Sequence, residues 1–218
     1  MAIDSTLLAF GNEMDEAMWR LYGWTEPAMT FGYSQKWEWI QSVSGSFEGA
    51  CVRRITGGGI VDHRHDLTYC LTIPPSHACY RAQATDLYRV LHEQIEAILL
   101  DLGFPCELAP CKDDCGNESA GKGVCFRAPE PFDVIQKPSG MKLAGAAMKR
   151  NKDGILIQGS LDLRGLQGLS KVVFQREFGS ALSRWLNLEK LEFTGTLPLD
   201  TLLRERNRFS SAEWNLRR

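Results

Sequence analysis

The sequence predicts a mixed α/β domain, and three observations carry that prediction. Apolar residues recur at helical steps over 82–102, two compact apolar runs flank a turn at 151–154, and a triple-glycine loop at 57–59 separates two extended stretches. A chain of 218 residues, 44% hydrophobic and 24% charged, has apolar material for one substantial core and too little for two large ones. The expected organisation is one catalytic-sized domain over 1–218.

Taken in order, residues 1–21 carry Ile3, Leu7, Leu8, Phe10, Met14, Met18 and Trp19 at roughly helical spacing. Gly11 and Asn12 should bend that helix or divide it in two, and it should cover a sheet. RLYGW and, after Pro27, AMTFGYSQ read as short aromatic-rich strands. Val52 and Ile55 form an extended approach to the glycines, and 67–73 a second strand that Pro74 and Pro75 end. Leu87, Val90, Leu91, Ile95, Ile98, Leu99 and Leu102 define the next helix, which Gly103 stops. Residues 109–123 read as a polar loop leading into VCFRAPEPFDVI, an interrupted strand. MKLAGAAMKR and GILIQGSLDL then pair as a hairpin, and 178–189 forms an amphipathic helix on Phe178, Leu182, Trp185 and Leu186. No repeat, low-complexity tract or accessory C-terminal domain stands out.

Charge and cysteine content exclude several functions. With 25 Lys plus Arg against 27 Asp plus Glu, the chain lacks the bulk basic character of a nucleic-acid binder. No apolar run has the length of a membrane span, and MAIDSTLLAF puts Asp4 where a secretory signal needs positive charge. Seven cysteines, an odd number, suit a reducing compartment, so a soluble cytoplasmic protein is expected.

The run RRITGGG sets two arginines before successive glycines, so that backbone amides can approach a phosphate or carboxyl group. Its spacing is neither a Walker loop nor a dinucleotide fingerprint, and a tight surface turn is the plain alternative. His63 and His65 with Asp62 and Asp66, and Cys106, Cys111 and Cys115, both lack ligand spacing, so no metal is expected. Cys125 lies where a polar segment meets an apolar strand and is either a thiolate nucleophile favoured by a nearby ammonium or a core cysteine. Lys142, in the small apolar frame KLAGAA, needs a path to solvent or an ionic partner. The small residues beside it leave room for an extended acyl chain.

Together these segments resemble the lipoyl and octanoyl branch of the biotin/lipoate protein ligase superfamily. MAIDSTLL is similar to its opening helix, RLYGW with PAMTFGYSQ to its first sheet region, and RRITGGGIVDH to its substrate-binding signature. CFRAPEPFDVI, GMKLAGAAMKR and GILIQGSL resemble the part that surrounds the acyl group. The resemblance implies an α/β fold with a larger and a smaller mixed sheet covered by helices. It places Arg54, Gly57, Gly58, Gly59 and His63 at the carboxyl, adenylate or thioester end of the pocket, Asp133, Gly145 and Gln158 beside it, and Lys142 at the acyl carbonyl. Cys125 resembles the cysteine of the CF-containing octanoyltransferases.

Two activities follow from the resemblance. A transferase would move octanoyl from octanoyl-loaded acyl carrier protein to Cys125 and then to a lysine of a lipoyl acceptor domain, such as glycine-cleavage H protein or a 2-oxoacid dehydrogenase E2, without a cofactor. A ligase would activate lipoate or octanoate with ATP and Mg and pass the acyl group to the same acceptor. A noncatalytic acyl-group or carrier-binding protein would keep the groove alone. The chain departs from the family pattern at Ser5, where a glutamate is common, and at Gln158, where a histidine is expected; the second bears on acyl-chain or acceptor orientation.

Overall fold

A computed structural model describes residues 1–45, 47–111, 129–188 and 195–217. The first element, α1 (Ala2–Met14), runs through Gly11 without a break, and Met18 and Trp19 belong to a strand, β1 (Met18–Tyr22). The expected bend is corrected by a close approach: a Cβ on Gly11 would stand 2.8 Å from the Glu16 carbonyl oxygen and 3.3 Å from Thr72 Oγ1. Glycine here permits contact with a neighbour, and the helix ends instead at Asp15, with φ of 57°.

After β2 (Ala28–Phe31) come α2 (Trp37–Ser44), β3 (Ala50–Arg53), β4 (Ile60–Asp62) and β5 (Asp66–Ile73). The long helix α3 (Ala84–Asp101) follows, and then β6 (Cys106–Leu108), β7 (Val134–Gln136), β8 (Lys142–Asn151) and β9 (Gly154–Asp162). Of the strand expected in VCFRAPEPFDVI, β7 is the described part. The chain continues with α4 (Lys171–Leu186), α5 (Leu199–Ser210) and α6 (Ala212–Asn215). Helix α4 begins at Lys171 rather than 178, with Ser170 Oγ accepting from the Val173 N–H at its N-terminus.

Six strands form an antiparallel sheet in the order β1-β5-β9-β8-β7-β6. Three more form a smaller mixed sheet, β3-β2-β4, in which β2 is parallel to β3 and antiparallel to β4. Strand alternation divides β5 and β9 between two faces. Leu67, Tyr69, Leu71, Ile155, Ile157 and Leu161 join Leu91 and Ile95 of α3 and Phe174 and Phe178 of α4 in the main core. Cys70 and Leu156 turn to the opposite face and pack against Leu8 of α1. The small sheet has its own apolar cluster of Met29, Phe31, Ile40 and Ile60.

The edge of the small sheet is closed by α6. The Arg53 N–H donates to Asn215 Oδ1 (2.8 Å), and the Trp214 indole N–H donates to the Arg53 carbonyl (2.9 Å). No helix among the described residues is long and apolar enough to cross a membrane.

Candidate active site

A cleft lies between the two sheets. The small-sheet side contributes Thr30, Arg54, Gly58 and His63, and the large-sheet side contributes Lys142, Gly145, Gln158 and Ser160. Residues from RRITGGG, KLAGAA and IQGS, well separated in sequence, thus face one space.

Lys142 opens β8 and pairs with Asp133, just before β7, at 2.7 Å; the lysine side chain is 7% exposed and the carboxylate fully buried. Burying a lone ammonium is costly, so the carboxylate keeps the charge in place. Asp133 Oδ2 also accepts from the Glu130 N–H (2.6 Å), and Oδ1 accepts from the Tyr88 hydroxyl on α3. Gly145 supplies the room: a Cβ there would stand 2.2 Å from Lys142 Cε, 2.5 Å from Nζ and 2.9 Å from Asp133 Oδ1.

Across the cleft, hydrogen-bond polarity fixes a relay. Arg54 can only donate, and its Nη1 donates to Thr30 Oγ1 at 2.8 Å. With a neutral imidazole, the Thr30 hydroxyl donates to His63 Nε2 (2.7 Å) and the His63 Nδ1–H donates to Asp66 Oδ2 (2.6 Å). Ser160 and Thr68 hydroxyls donate to the same Asp66 oxygen, and the Trp24 ring stacks on His63 with centroids 4.3 Å apart. His63 is therefore a held, buried imidazole, whereas His65 is exposed.

The two adjacent arginines do different work. Arg54 clamps its own glycine loop, donating from Nη2 to the carbonyls of Gly57 (2.8 Å) and Gly59 (2.9 Å). Arg53 points away from the cleft and donates to the carbonyls of Tyr33, Gln35, Trp214, Asn215 and Arg217. Within the loop, Gly58 has φ of +85°, a conformation that favours glycine, while a Cβ on Gly57 would meet nothing within 4 Å.

Gln158 is buried on β9 and joins three parts of the chain. Its Oε1 accepts from Thr56 Oγ1 beside the glycine loop (2.9 Å), and its Nε2 donates to Asp4 Oδ2 of α1 (2.6 Å). Burial alone would raise the Asp4 carboxyl; the N-terminal ammonium, Arg20 and the Gln158 amide together hold it below its ordinary value.

Cys125 and Cys115 lie outside the described residues. Burial pushes the thiols of Cys51, Cys70, Cys79 and Cys106 upward, that of Cys106 to about 11, so these four are held as thiols at neutral pH.

Comparison with known proteins decides the family. Residues 1–186 match the lipoyl protein ligase A/B catalytic domain. The chain belongs to this family. Among relatives, it is 33% identical over 173 residues to an octanoyltransferase LipM of Halalkalibacterium halodurans, an overlap of 75% of this chain and 60% of that protein. The chain thus spans about three-fifths of the length of the curated relatives it matches. Its fold matches a lipoate-protein ligase A solved with bound ATP, with a TM-score of 0.71 at 19% identity over 99% of this chain and 92% of the other. It also matches a structure from Thermoplasma acidophilum titled as a bipartite lipoate protein ligase and its E2 lipoyl domain, with a TM-score of 0.67 at 18% identity, covering 99% and 92%. The larger and smaller sheets that the resemblance implied are the ones observed, the larger being antiparallel throughout.

Of the residues singled out in the sequence, Arg54, Gly58, His63, Lys142, Gly145 and Gln158 line the cleft, and Asp133 stands behind Lys142. Sequence reasoning missed Thr30 and Ser160 of the relay and Tyr88 and His92 behind the ion pair, and it weighed Asp66 only as part of a metal site. Tyr88 and His92 were detectable in principle: they sit four apart on α3, on the margin of its buried leucine and isoleucine stripe.

Proposed function

We propose that this protein transfers an octanoyl or lipoyl group from an acyl thioester to a lysine of an acceptor domain, through a thioester on Cys125. The observation that carries the reading is the buried Lys142–Asp133 pair at a cleft wall kept open by Gly145. The naming of relatives as octanoyltransferases favours acyl transfer over ligation. Raised thiols count against four of the seven cysteines, and of the remaining Cys111, Cys115 and Cys125 the last is chosen because its CF sequence resembles that of the octanoyltransferases.

In the first step the Cys125 thiolate attacks the acyl carbonyl carbon, a new C–S bond forms as the C–S bond to the carrier breaks, and the carrier's phosphopantetheine arm leaves as a thiolate that takes a proton from solvent. In the second, the neutral ε-amine of the acceptor lysine attacks the Cys125 thioester. An amide bond forms, the amine loses a proton, and the Cys125 thiolate is released. Lys142, held as an ammonium by Asp133, favours the thiolate and the developing oxyanion at the carbonyl. The Gly58 backbone and the Arg54-clamped loop shape the thioester end. Octanoyl-loaded acyl carrier protein and a lipoyl acceptor domain are the proposed partners. The transfer needs no cofactor; the ligase alternative needs ATP and Mg.

The test is a transfer assay with octanoyl-loaded acyl carrier protein and a lipoyl domain, followed by the mass of the acceptor. Acceptor octanoylation without ATP supports the reading. Modification that requires free octanoate and ATP replaces it with ligation, and binding without modification replaces it with a noncatalytic role.

A further inference from the structure

We propose that Tyr88 is a positioning residue for the Lys142–Asp133 pair, its hydroxyl fixing the carboxylate and the adjoining β8 backbone in one register. The proposal rests on the acyl-transfer reading for its consequence in turnover, and on geometry for everything else. The Tyr88 hydroxyl donates to Asp133 Oδ1 and accepts from the Ala146 N–H at 3.2 Å. The pairing of β7 with β8 ends at Ala144, so the Ala146 N–H lies beyond that ladder and is met by the tyrosine instead. Gly145 stands between these two anchor points, the one place where a Cβ would strike both Lys142 and Asp133. One phenol on α3 therefore sets three things: the carboxylate that holds Lys142, the backbone on either side of the gap, and the distance between helix and cleft wall.

The group behind Tyr88 suits this role. His92, one turn along α3, meets the Tyr88 ring edge to face, with centroids 4.1 Å apart and planes at 89°. Its Nε2 lies 3.2 Å from the Tyr69 hydroxyl on β5, and a Cβ on Gly159 of β9 would strike the Tyr69 ring. The chain of contacts thus runs from one wall of the cleft, through α3, to the strand that forms another wall. Burial, reinforced by the Lys142 charge, drops His92 to about 3, and burial together with the Asp133 charge keeps the Tyr88 phenol protonated. The support remains uncharged while the pair it holds is ionic. Among the described residues, the titratable groups that act on Asp133 are Lys142 from β8, Tyr88 from α3 and Tyr69 from β5, while His92 of α3 feels the Lys142 charge.

A purely structural tyrosine would lower stability without moving the carboxylate's titration. The experiment uses the full chain as wild type, Tyr88→Phe, Asp133→Asn and the double variant. Single-turnover octanoyl transfer from octanoyl-loaded carrier is measured against pH, and the Asp133 carboxyl is titrated by 13C NMR without substrate. Loss of the donor makes the carboxylate more basic, so both the acid limb of the rate and the NMR titration move to higher pH in Tyr88→Phe. The rate falls on the order of 10-fold with the thioester KM within about 2-fold, and Tyr88→Phe adds less than about 2-fold on the Asp133→Asn background.

An unmoved carboxyl titration, or an equal loss on both backgrounds, overturns the proposal. Placing 3-fluorotyrosine at 88, a stronger donor of nearly the same shape, supplies a second variant should Tyr88→Phe fold poorly. It moves the titration to lower pH, and an unchanged titration with it counts equally against the proposal. A wild type inert toward octanoyl thioesters would defeat the acyl-transfer reading, while the substrate-free titration would still decide the role of Tyr88.

Discussion

Replacing Asp133 with asparagine keeps the size of the side chain and removes the negative charge that faces the buried Lys142 ammonium. The native pair is 2.7 Å long, with the lysine 7% exposed and the carboxylate fully buried. Breaking such a pair from one side costs about 3–5 kcal/mol. For a chain of this length that is a fall in Tm of roughly 6–20 °C. The asparagine NH2 cannot accept: at the Oδ2 position it takes the acceptor from both Nζ and the Glu130 N–H, and turned to the Oδ1 position it meets the Tyr88 hydroxyl with a donor in place of an acceptor. Urea unfolding of the wild type and the variant measures this, alongside single-turnover transfer. A companion, Asp133→Leu with Lys142→Met, should regain most of the stability while transferring no acyl group. If Asp133→Asn unfolds within about 0.5 kcal/mol of the wild type and transfers at an unchanged rate, the ion pair is neither structural nor part of the site.

Other perturbations probe separate parts of the account. Gly145→Ala pushes a Cβ against both the Lys142 ammonium end and Asp133 Oδ1, and should lower the single-turnover transfer rate by 10-fold or more as an order-of-magnitude estimate. Gly58→Ala should cost about 1–2 kcal/mol and weaken acyl-ligand affinity in calorimetry, whereas Gly57→Ala should leave stability nearly unchanged. His92 takes a proton below about pH 6.5 when unfolded and only near 3 when folded, so stability should fall through that window by up to ~1.4 kcal/mol per pH unit. His92→Leu should reduce that slope in acid-denaturation curves. Arg53→Ala removes the donor to five backbone carbonyls and should expose 199–217 to limited proteolysis before the rest of the chain.

The parts of the fold legible in the sequence were those with long, uninterrupted periodicity. The apolar stripe of α3 and the β8–β9 hairpin emerged within a few residues of their actual limits. Short elements were not legible: β4 has three residues and α6 four, too few for a pattern to repeat. Helix α5 carries mostly polar and charged residues and owes its place to Phe209 and the cluster around Trp214. Gly11 misled because glycine weakens an isolated helix, while here a tertiary contact requires its missing side chain.

Site residues divided in the same way. Lys142 was conspicuous because a charge among small apolar residues demands a partner, and Asp133 nearby in sequence met it. The separation of Arg53 from Arg54 follows from the alternation of an extended chain, but their opposite targets depend on α6, some 160 positions away. The link from Gln158 to Asp4 spans 154 positions and joins two elements whose adjacency no local pattern encodes.

The central claim is that Cys125 carries the acyl group between carrier and acceptor. Intact-protein mass spectrometry after incubation with octanoyl-loaded acyl carrier protein, without ATP, tests it most directly, with Cys125→Ser as the comparison. The account predicts an octanoyl adduct on the natural protein, labile to hydroxylamine as a thioester is, and none on the serine variant. An adduct of equal yield on both proteins, or none on a folded protein that binds the carrier, would contradict it.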